Sequence, residues 1–282
     1  MWRTRSKTIL FLVGFLAATA VTGCATVQTQ VASRDAMFQT ADGQGFTKKY
    51  LSAPPFVLTS YHKVSAPSDT VVVYIEGDGF AWASRTCPSD DPTPKHPLAF
   101  FLASKDQSPN VLYLARPGQF PHAGGPQVDR SYWTSKRYSE EVVQSTNAAI
   151  DQVKLSSGAK KISLVGYSGG AAVAVLVAGR RSDVVALRTV AGNLAPEVFS
   201  TVHHLSPLSG SLDPVAVAAA VNEIPQHHFI GSNDTIVTKE VTDAFLDAEG
   251  DRSRQRLTTV AGADHTNGWV ERWRNLLVVP LR

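Results

Sequence analysis

The sequence predicts an α/β domain with a mostly parallel central sheet and helices on both faces. Three observations predict it. Short β-branched runs alternate with helix-spaced segments, the pattern of parallel strands joined by helical crossovers. Several of those runs are apolar without interruption, as strands covered on both faces require. The chain has 282 residues, 43% of them hydrophobic, which suits one large core better than two small ones.

The domain is expected to run from about Phe46 to the C-terminus, residues 46–282, without internal repeats. Phe56 to Val64 alternates as a strand. Val71-Val72-Val73-Tyr74-Ile75 is a continuous apolar run ended by Gly77, and Val111 to Ala115 is another, closed by Pro117-Gly118. Tyr138 to Val153 has helical spacing, with Val142, Val143, Ala149, Ile150 and Val153 on one side. Lys161 to Val165 reads as a third buried strand. Gly169 to Gly179 is nearly all small and apolar, so it is expected to be a helix buried against the sheet. Val184 to Val190, His227 to Ile230 and Leu257 to Val260 complete the strand series. Leu208 to Asn222, a Ser/Gly/Pro turn followed by an Ala/Val stretch, is a candidate cover for the site described below.

The first residues do not belong to that core. Arg3, Arg5 and Lys7 precede an uncharged apolar run from Thr8 to Val21, the layout of a secretory signal and too short to span a bilayer comfortably. Val21-Thr22-Gly23-Cys24 follows, small residues before a cysteine. This tetrapeptide resembles the lipobox of bacterial lipoproteins. The resemblance implies a signal peptide over 1–23 and acylation of Cys24, which becomes the mature N-terminus. Acyl chains on Cys24 then hold the protein to a membrane. Ala25, rather than Asp, follows, which by the same resemblance implies the outer membrane of a Gram-negative cell. Residues 24–45, rich in Thr, Gln, Ser and Ala, read as a lipidated N-terminus and tether.

The formal charge of +3 resides in the signal segment, because the rest of the chain has 24 basic against 24 acidic residues. No basic excess remains to argue for nucleic acid as a partner. The second cysteine, Cys87, stands in Arg85-Thr86-Cys87-Pro88 and reads as a partly buried loop thiol without a catalytic role.

The chemistry centres on Gly166-Tyr167-Ser168-Gly169-Gly170, a G-x-S-x-G sequence between an expected strand and an expected buried helix. A serine at such a sharp turn projects its hydroxyl above the sheet. The flanking glycines avoid collisions between a Cβ and the neighbouring strand and helix. Further along, Asp234 follows the strand His227 to Ile230, and His265 follows the strand Leu257 to Val260. Both are placed at C-terminal strand ends, where ligands bind to open parallel sheets. A serine hydroxyl needs a base to become a nucleophile, histidine has a suitable pKa, and a carboxylate fixes the imidazole tautomer.

These motifs and their order Ser, Asp, His resemble the α/β-hydrolase family, over nearly everything from residue 46 onward. The resemblance implies a serine hydrolase with catalytic Ser168, Asp234 and His265, an acyl-enzyme, no cofactor and no metal. It assigns the oxyanion hole to the backbone N–H groups of Gly169 and, in the loop Glu76-Gly77-Asp78-Gly79, of Asp78. Glu76 departs from the His-Gly pair common there, and Arg116 is the expected neutralising partner for it. Asp213 is the alternative acid. A small-molecule carboxylic ester is the expected substrate. A thioesterase or serine peptidase on the same framework, or a non-catalytic envelope scaffold, are the alternatives. The pairs His203-His204 and His227-His228 are read as solvated positions, Phe80-Ala81-Trp82 and Tyr132-Trp133 as packing aromatics, and Arg130, Lys136 and Arg137 as a solvated basic face. The loops Ala81 to His96, Gly118 to Ser131 and Asn193 to Leu212 are expected to form the pocket.

Overall fold

The structure is a computed structural model and describes residues 36–37 and 39–281. The expected signal, Cys24 and most of the expected tether lie outside the described residues. Met37 and Ala41, expected in the tether, are buried against the domain beside Phe46. Their apolar side chains gain by leaving water.

Eight strands form one sheet: β1 (Thr47–Ala53), β2 (Phe56–Val64), β3 (Thr70–Ile75), β4 (Asn110–Leu114), β5 (Lys161–Tyr167), β6 (Val184–Val190), β7 (Gln226–Gly231) and β8 (Gln255–Val260). Their spatial order is β1-β2-β4-β3-β5-β6-β7-β8. β1 and β2 form an antiparallel hairpin, and β2 also runs antiparallel to β4. The remaining neighbours, from β4 through β3 to β8, are parallel. Sequence and structure therefore agree on a mostly parallel sheet. β1 was not expected; its residues Thr47 to Tyr50 are exposed, so only Leu51 and Ala53 carry an apolar signal.

One face carries helices α2 (Glu140–Ser157), α3 (Gly169–Ala178) and α6 (Lys239–Glu249), whose apolar residues join the strands in a single cluster. The other face carries α1 (Leu98–Lys105) and α7 (Trp273–Leu277), packed with Tyr74, Tyr113 and Phe229. Every residue of α3 is buried, as the run of small apolar residues predicts. Six of the eight residues of α1 are buried too, so its sequence lacks the polar stripe that would mark a helix. Two short helices, α4 (Pro196–Val202) and α5 (Ala218–Val221), lie between these, and residues 39–43 ahead of β1 are also helical.

Leu208 to Asn222 does not cover the site. Leu208, Leu212 and Val217 pack against the core, and the Leu212 N–H donates to the Tyr138 carbonyl. The stretch is held to the side of the domain because its apolar residues find partners there.

Candidate active site

Ser168 stands at the turn from β5 into α3 with φ 50 and ψ −120, a left-handed conformation that a side chain rarely adopts. Two glycines make the turn possible. A Cβ on Gly166 would lie 2.4 Å from the Ala171 Cα, and one on Gly170 would lie 2.3 Å from the Ile75 carbonyl oxygen. The chain is thus compressed between strand and helix. The Ser168 N–H donates to the Val190 carbonyl, and the Ser168 carbonyl accepts from Ala171 and Asn193. The hydroxyl is left as the free polar group of a clamped residue.

His265 approaches from the loop after β8. Its Nε2 lies 3.1 Å from the Ser168 Oγ, and its Nδ1 lies 3.0 Å from the Asp234 Oδ2. Asp234 follows β7, and its side chain is 1% exposed. Its Oδ1 accepts from the Ile236 and Val237 N–H groups at 2.8 and 2.9 Å, which leaves Oδ2 for the histidine. Nδ1–H donation to that carboxylate leaves Nε2 as an acceptor for the serine hydroxyl. The Tyr167 hydroxyl donates to the His265 carbonyl at 3.1 Å and fixes the loop against the strand before the serine. The structure therefore brings Ser168, His265 and Asp234 into one hydrogen-bonded chain at the C-terminal edge of the sheet. The alternative acid Asp213 is elsewhere: its Oδ1 accepts from the Val215 N–H and caps a short turn. Asp264 also turns away, accepting from Thr266 and Asn267, bonds that hold its carboxyl down at about 2.

The loop after β3 lies against the serine. A Cβ on Gly77 would sit 3.2 Å from the Ser168 Cβ, and one on Gly169 would sit 2.0 Å from the Asp78 Oδ1. Asp78 and Gly169, the two expected oxyanion donors, are neighbours. Gly169 opens a helix, where the first amides have no intrahelical acceptor. Gln119 steadies the loop by donating to the Gly77 carbonyl at 2.9 Å.

The expected Glu76–Arg116 pair does not form. Glu76 is fully buried and turns away from the serine, accepting from the Gly77 N–H at 2.9 Å, the Ala99 N–H at 3.5 Å and the Tyr113 hydroxyl at 3.2 Å. Burial pushes its carboxyl up to about 7, against the pull of those donors. Arg116 pairs instead with Asp78, Nη1 to Oδ1 at 3.4 Å. Arg137 joins it, Nη1 to Oδ2 at 2.8 Å, and the Tyr138 hydroxyl donates to the same oxygen at 3.1 Å. Burial raises the Asp78 carboxyl, but the two guanidinium groups outweigh it and leave it below the ordinary value. Geometry explains the exchange: strand alternation would put both side chains on the α1 face, but β3 ends at Ile75, and the chain turns after Glu76 so that Asp78 faces α2 and its preceding loop.

A cavity of about 500 Å³ opens above Ser168 and His265. Phe80, Trp82, Phe199, Ile236 and Val237 are among its apolar lining, and Asp78, Lys95, His96, Arg137 and Asn193 among its polar members. Phe80 and Trp82 thus line the cavity, whereas Trp133 is buried away from it and donates to the Ser89 carbonyl. Of the three expected pocket loops, 118–131 contributes nothing, and residues 236–237 were missed. Arg137 is not solvated, since the Asp78 carboxylate draws it inward; Arg130 lies at the surface, paired with Asp90. Cys87 is exposed rather than partly buried. His227 and His228 are buried on β7 rather than solvated.

No protein-family model matches the chain. No curated protein sequence matches it either. Solved structures do match. The Pyrococcus furiosus esterase Pf2001 is 15% identical with a TM-score of 0.62, over 83% of this chain and 90% of that one. A proline iminopeptidase of Mycobacterium smegmatis is 13% identical with a TM-score of 0.59, over 82% and 96%. XC6422 of Xanthomonas campestris, an α/β serine hydrolase without a lid, is 13% identical with a TM-score of 0.54, over 82% and 91%. At such identities the likeness establishes the fold, and the chain has the α/β-hydrolase fold.

Proposed function

We propose that the protein is a serine hydrolase that cleaves a carboxylic ester through an acyl-enzyme. The observation that carries this reading is the hydrogen-bonded chain from Ser168 Oγ through His265 to a buried Asp234. In the first half-reaction Ser168 Oγ adds to the ester carbonyl carbon while His265 Nε2 takes its proton. Asp234 orients the ring and stabilises the imidazolium. The backbone amides of Gly169 and Asp78 hold the oxyanion. Collapse expels the alcohol, which receives the proton from His265. Water, activated by the same histidine, then attacks the acyl-enzyme and releases the acid and Ser168. No cofactor enters any step. The apolar lining of the cavity suits an uncharged acyl or alcohol chain, and a volume of about 500 Å³ suits a small molecule. A thioester or a peptide would satisfy the same triad.

The test is covalent labelling of the full chain by a fluorophosphonate, followed by a panel of esters, thioesters and peptides. The parent is expected to label and Ser168→Ala not to, with turnover of the best ester lowered about 10⁴-fold or more. A folded parent that does not label would transfer support to the non-catalytic scaffold.

The proposal extends to location: acyl chains on Cys24 anchor the domain to the cell envelope, in a Gram-negative cell at the outer membrane facing the periplasm. Its support is the sequence from Arg3 to Ala25. Metabolic labelling with an alkyne-bearing fatty acid is expected to mark the parent and not Cys24→Ala.

A further inference from the structure

A second polar row crosses the sheet well below the serine. β6 and β7 pair Arg188 with His227, and β7 and β8 pair His227 with Arg256. Directly paired residues share one face, so the three side chains stand side by side on the face that carries α1 and α7. In the same register Arg188 is level with Val165, three residues before Ser168, which sets the row about 10 Å back from the catalytic edge. The row is outside the cavity above Ser168.

Its polar groups are unsatisfied. Arg188 Nε, Arg256 Nε and His227 Nδ1 are buried without a hydrogen-bond partner. Neither guanidinium forms an ion pair with a described residue, in contrast to Arg116, Arg137 and Arg181. Asp106, whose charge acts on Arg188, makes its hydrogen bonds elsewhere, accepting from the Tyr74 hydroxyl at 2.7 Å and the Ser108 N–H at 2.8 Å. Burial lowers the Arg188 pKa, and Tyr74 and Asp106 only partly oppose it. His227 is 0% exposed. Its Nε2 lies 2.8 Å from the Thr258 Oγ1, its ring packs on Phe229 with centroids 3.9 Å apart, and its Nδ1 has no hydrogen-bond partner. Two guanidinium Nε atoms and the His227 Nδ1, all buried and without a hydrogen-bond partner, make a costly arrangement for a folded chain to keep empty.

We propose that Arg188, His227 and Arg256 form a binding site for a dianionic phosphate group. The two arginines rise from strands two apart, about 10 Å between backbones, and guanidinium arms from either side can converge on one tetrahedral anion above His227. Two positive charges match a dianion, and planar guanidinium groups favour oxyanions over halides. Both arginines retain partial exposure, so the anion has a path in. The phosphate is either free in solution or the monoester headgroup of a lipid. The site stands independently of the hydrolase reading.

The experiment titrates the full chain, by calorimetry and thermal unfolding, with inorganic phosphate and with short-chain phosphatidic acid, each against chloride at equal ionic strength. Binding of either ligand with a rise in Tm over chloride is expected, at least tenfold weaker in Arg256→Gln and in Arg188→Gln/Arg256→Gln. Fluorophosphonate labelling of Ser168 is expected to be unchanged in both variants. Comparable affinity for the two ligands assigns a free oxyanion, and at least tenfold tighter binding of the phosphatidic acid assigns the lipid headgroup. No phosphate-specific binding by the parent, or parent-like binding by a folded Arg256→Gln, overturns the site. Crystals soaked in tungstate supply a reading that needs no variant: an anomalous peak between the two guanidinium groups is expected, and its absence counts against the proposal.

Discussion

Glu76 and Asp78 stand two residues apart in one loop, Glu76 fully buried and Asp78 partly so, yet their surroundings set their carboxyls on opposite courses. Glu76 meets two backbone amides, a tyrosine hydroxyl and no cation, and its carboxyl rises to about 7. Asp78 meets Arg116, Arg137 and Tyr138, and its carboxyl falls below the ordinary value. Neutral donors soften the cost of burying a charge, and only opposite charge reverses it. Each acid also ties the loop to a different support. Glu76 fastens it to the start of α1, and Asp78 fastens it to the segment before α2. The loop after β3 is therefore held on both sides by acids that respond to pH in opposite directions.

The largest effect is expected at Asp78. Asp78→Asn removes the single carboxylate between the buried Arg116 and the largely buried Arg137, and breaking such a pair from one side costs up to about 3–5 kcal/mol. Urea unfolding at pH 7 measures it; a loss below about 1 kcal/mol would mean the arginines are solvated and the contrast with Glu76 is illusory. Arg116→Ala is expected to cost less, about 1–3 kcal/mol, because Arg137 still neutralises Asp78. A double-mutant cycle with Arg137→Ala would sharpen the point, since the two losses should exceed additivity once Asp78 has no cation left.

Glu76→Gln is expected to change stability by less than about 1 kcal/mol at pH 7 but to alter its pH dependence. The ordinary glutamate value is 4.5 and Glu76 titrates near 7. Between those values the folded chain retains a proton that the unfolded chain has released, so the Glu76 contribution falls as pH rises through the window. Urea midpoints of the parent and Glu76→Gln from pH 4.5 to 8 should diverge, with the variant gaining on the parent toward high pH. Asp78 acts in the other sense: its contribution is present above the unfolded value of 3.8 and is lost as pH falls below it. Parallel profiles for the parent and Glu76→Gln would remove Glu76 from the comparison.

Much of the central sheet was legible because β3 to β6 are mostly apolar runs, and continuous burial leaves a plain mark on sequence. The edge strand β1 was not, since five of its seven residues face water. Helix α1 was missed for the converse reason: burial on nearly all sides erases the periodicity by which helices are recognised. Helix α6 does carry an amphipathic spacing, Val241, Phe245 and Leu246 being buried, and that spacing was available to be read. At the site, G-x-S-x-G located the turn that strains Ser168, and the positions after β7 and β8 located Asp234 and His265. The Asp78 cluster was not legible. Arg116, Arg137 and Tyr138 are separated from it by 38 to 60 residues, and no local pattern links them.

What the sequence determined by itself is what local rules govern: alternation of strands and helices, the glycines that a tight strand-to-helix turn demands, and the order of serine, acid and histidine. These depend on short-range sterics and periodicity, which are written along the chain. Only the tertiary structure decided which charges meet. It gave Asp78 two arginines and Glu76 none, and it left Arg188 and Arg256 beside His227 without an ion pair to a described residue. Sheet register and loop packing set those distances, and electrostatic energy depends on separation in space and burial, neither of which a linear sequence expresses.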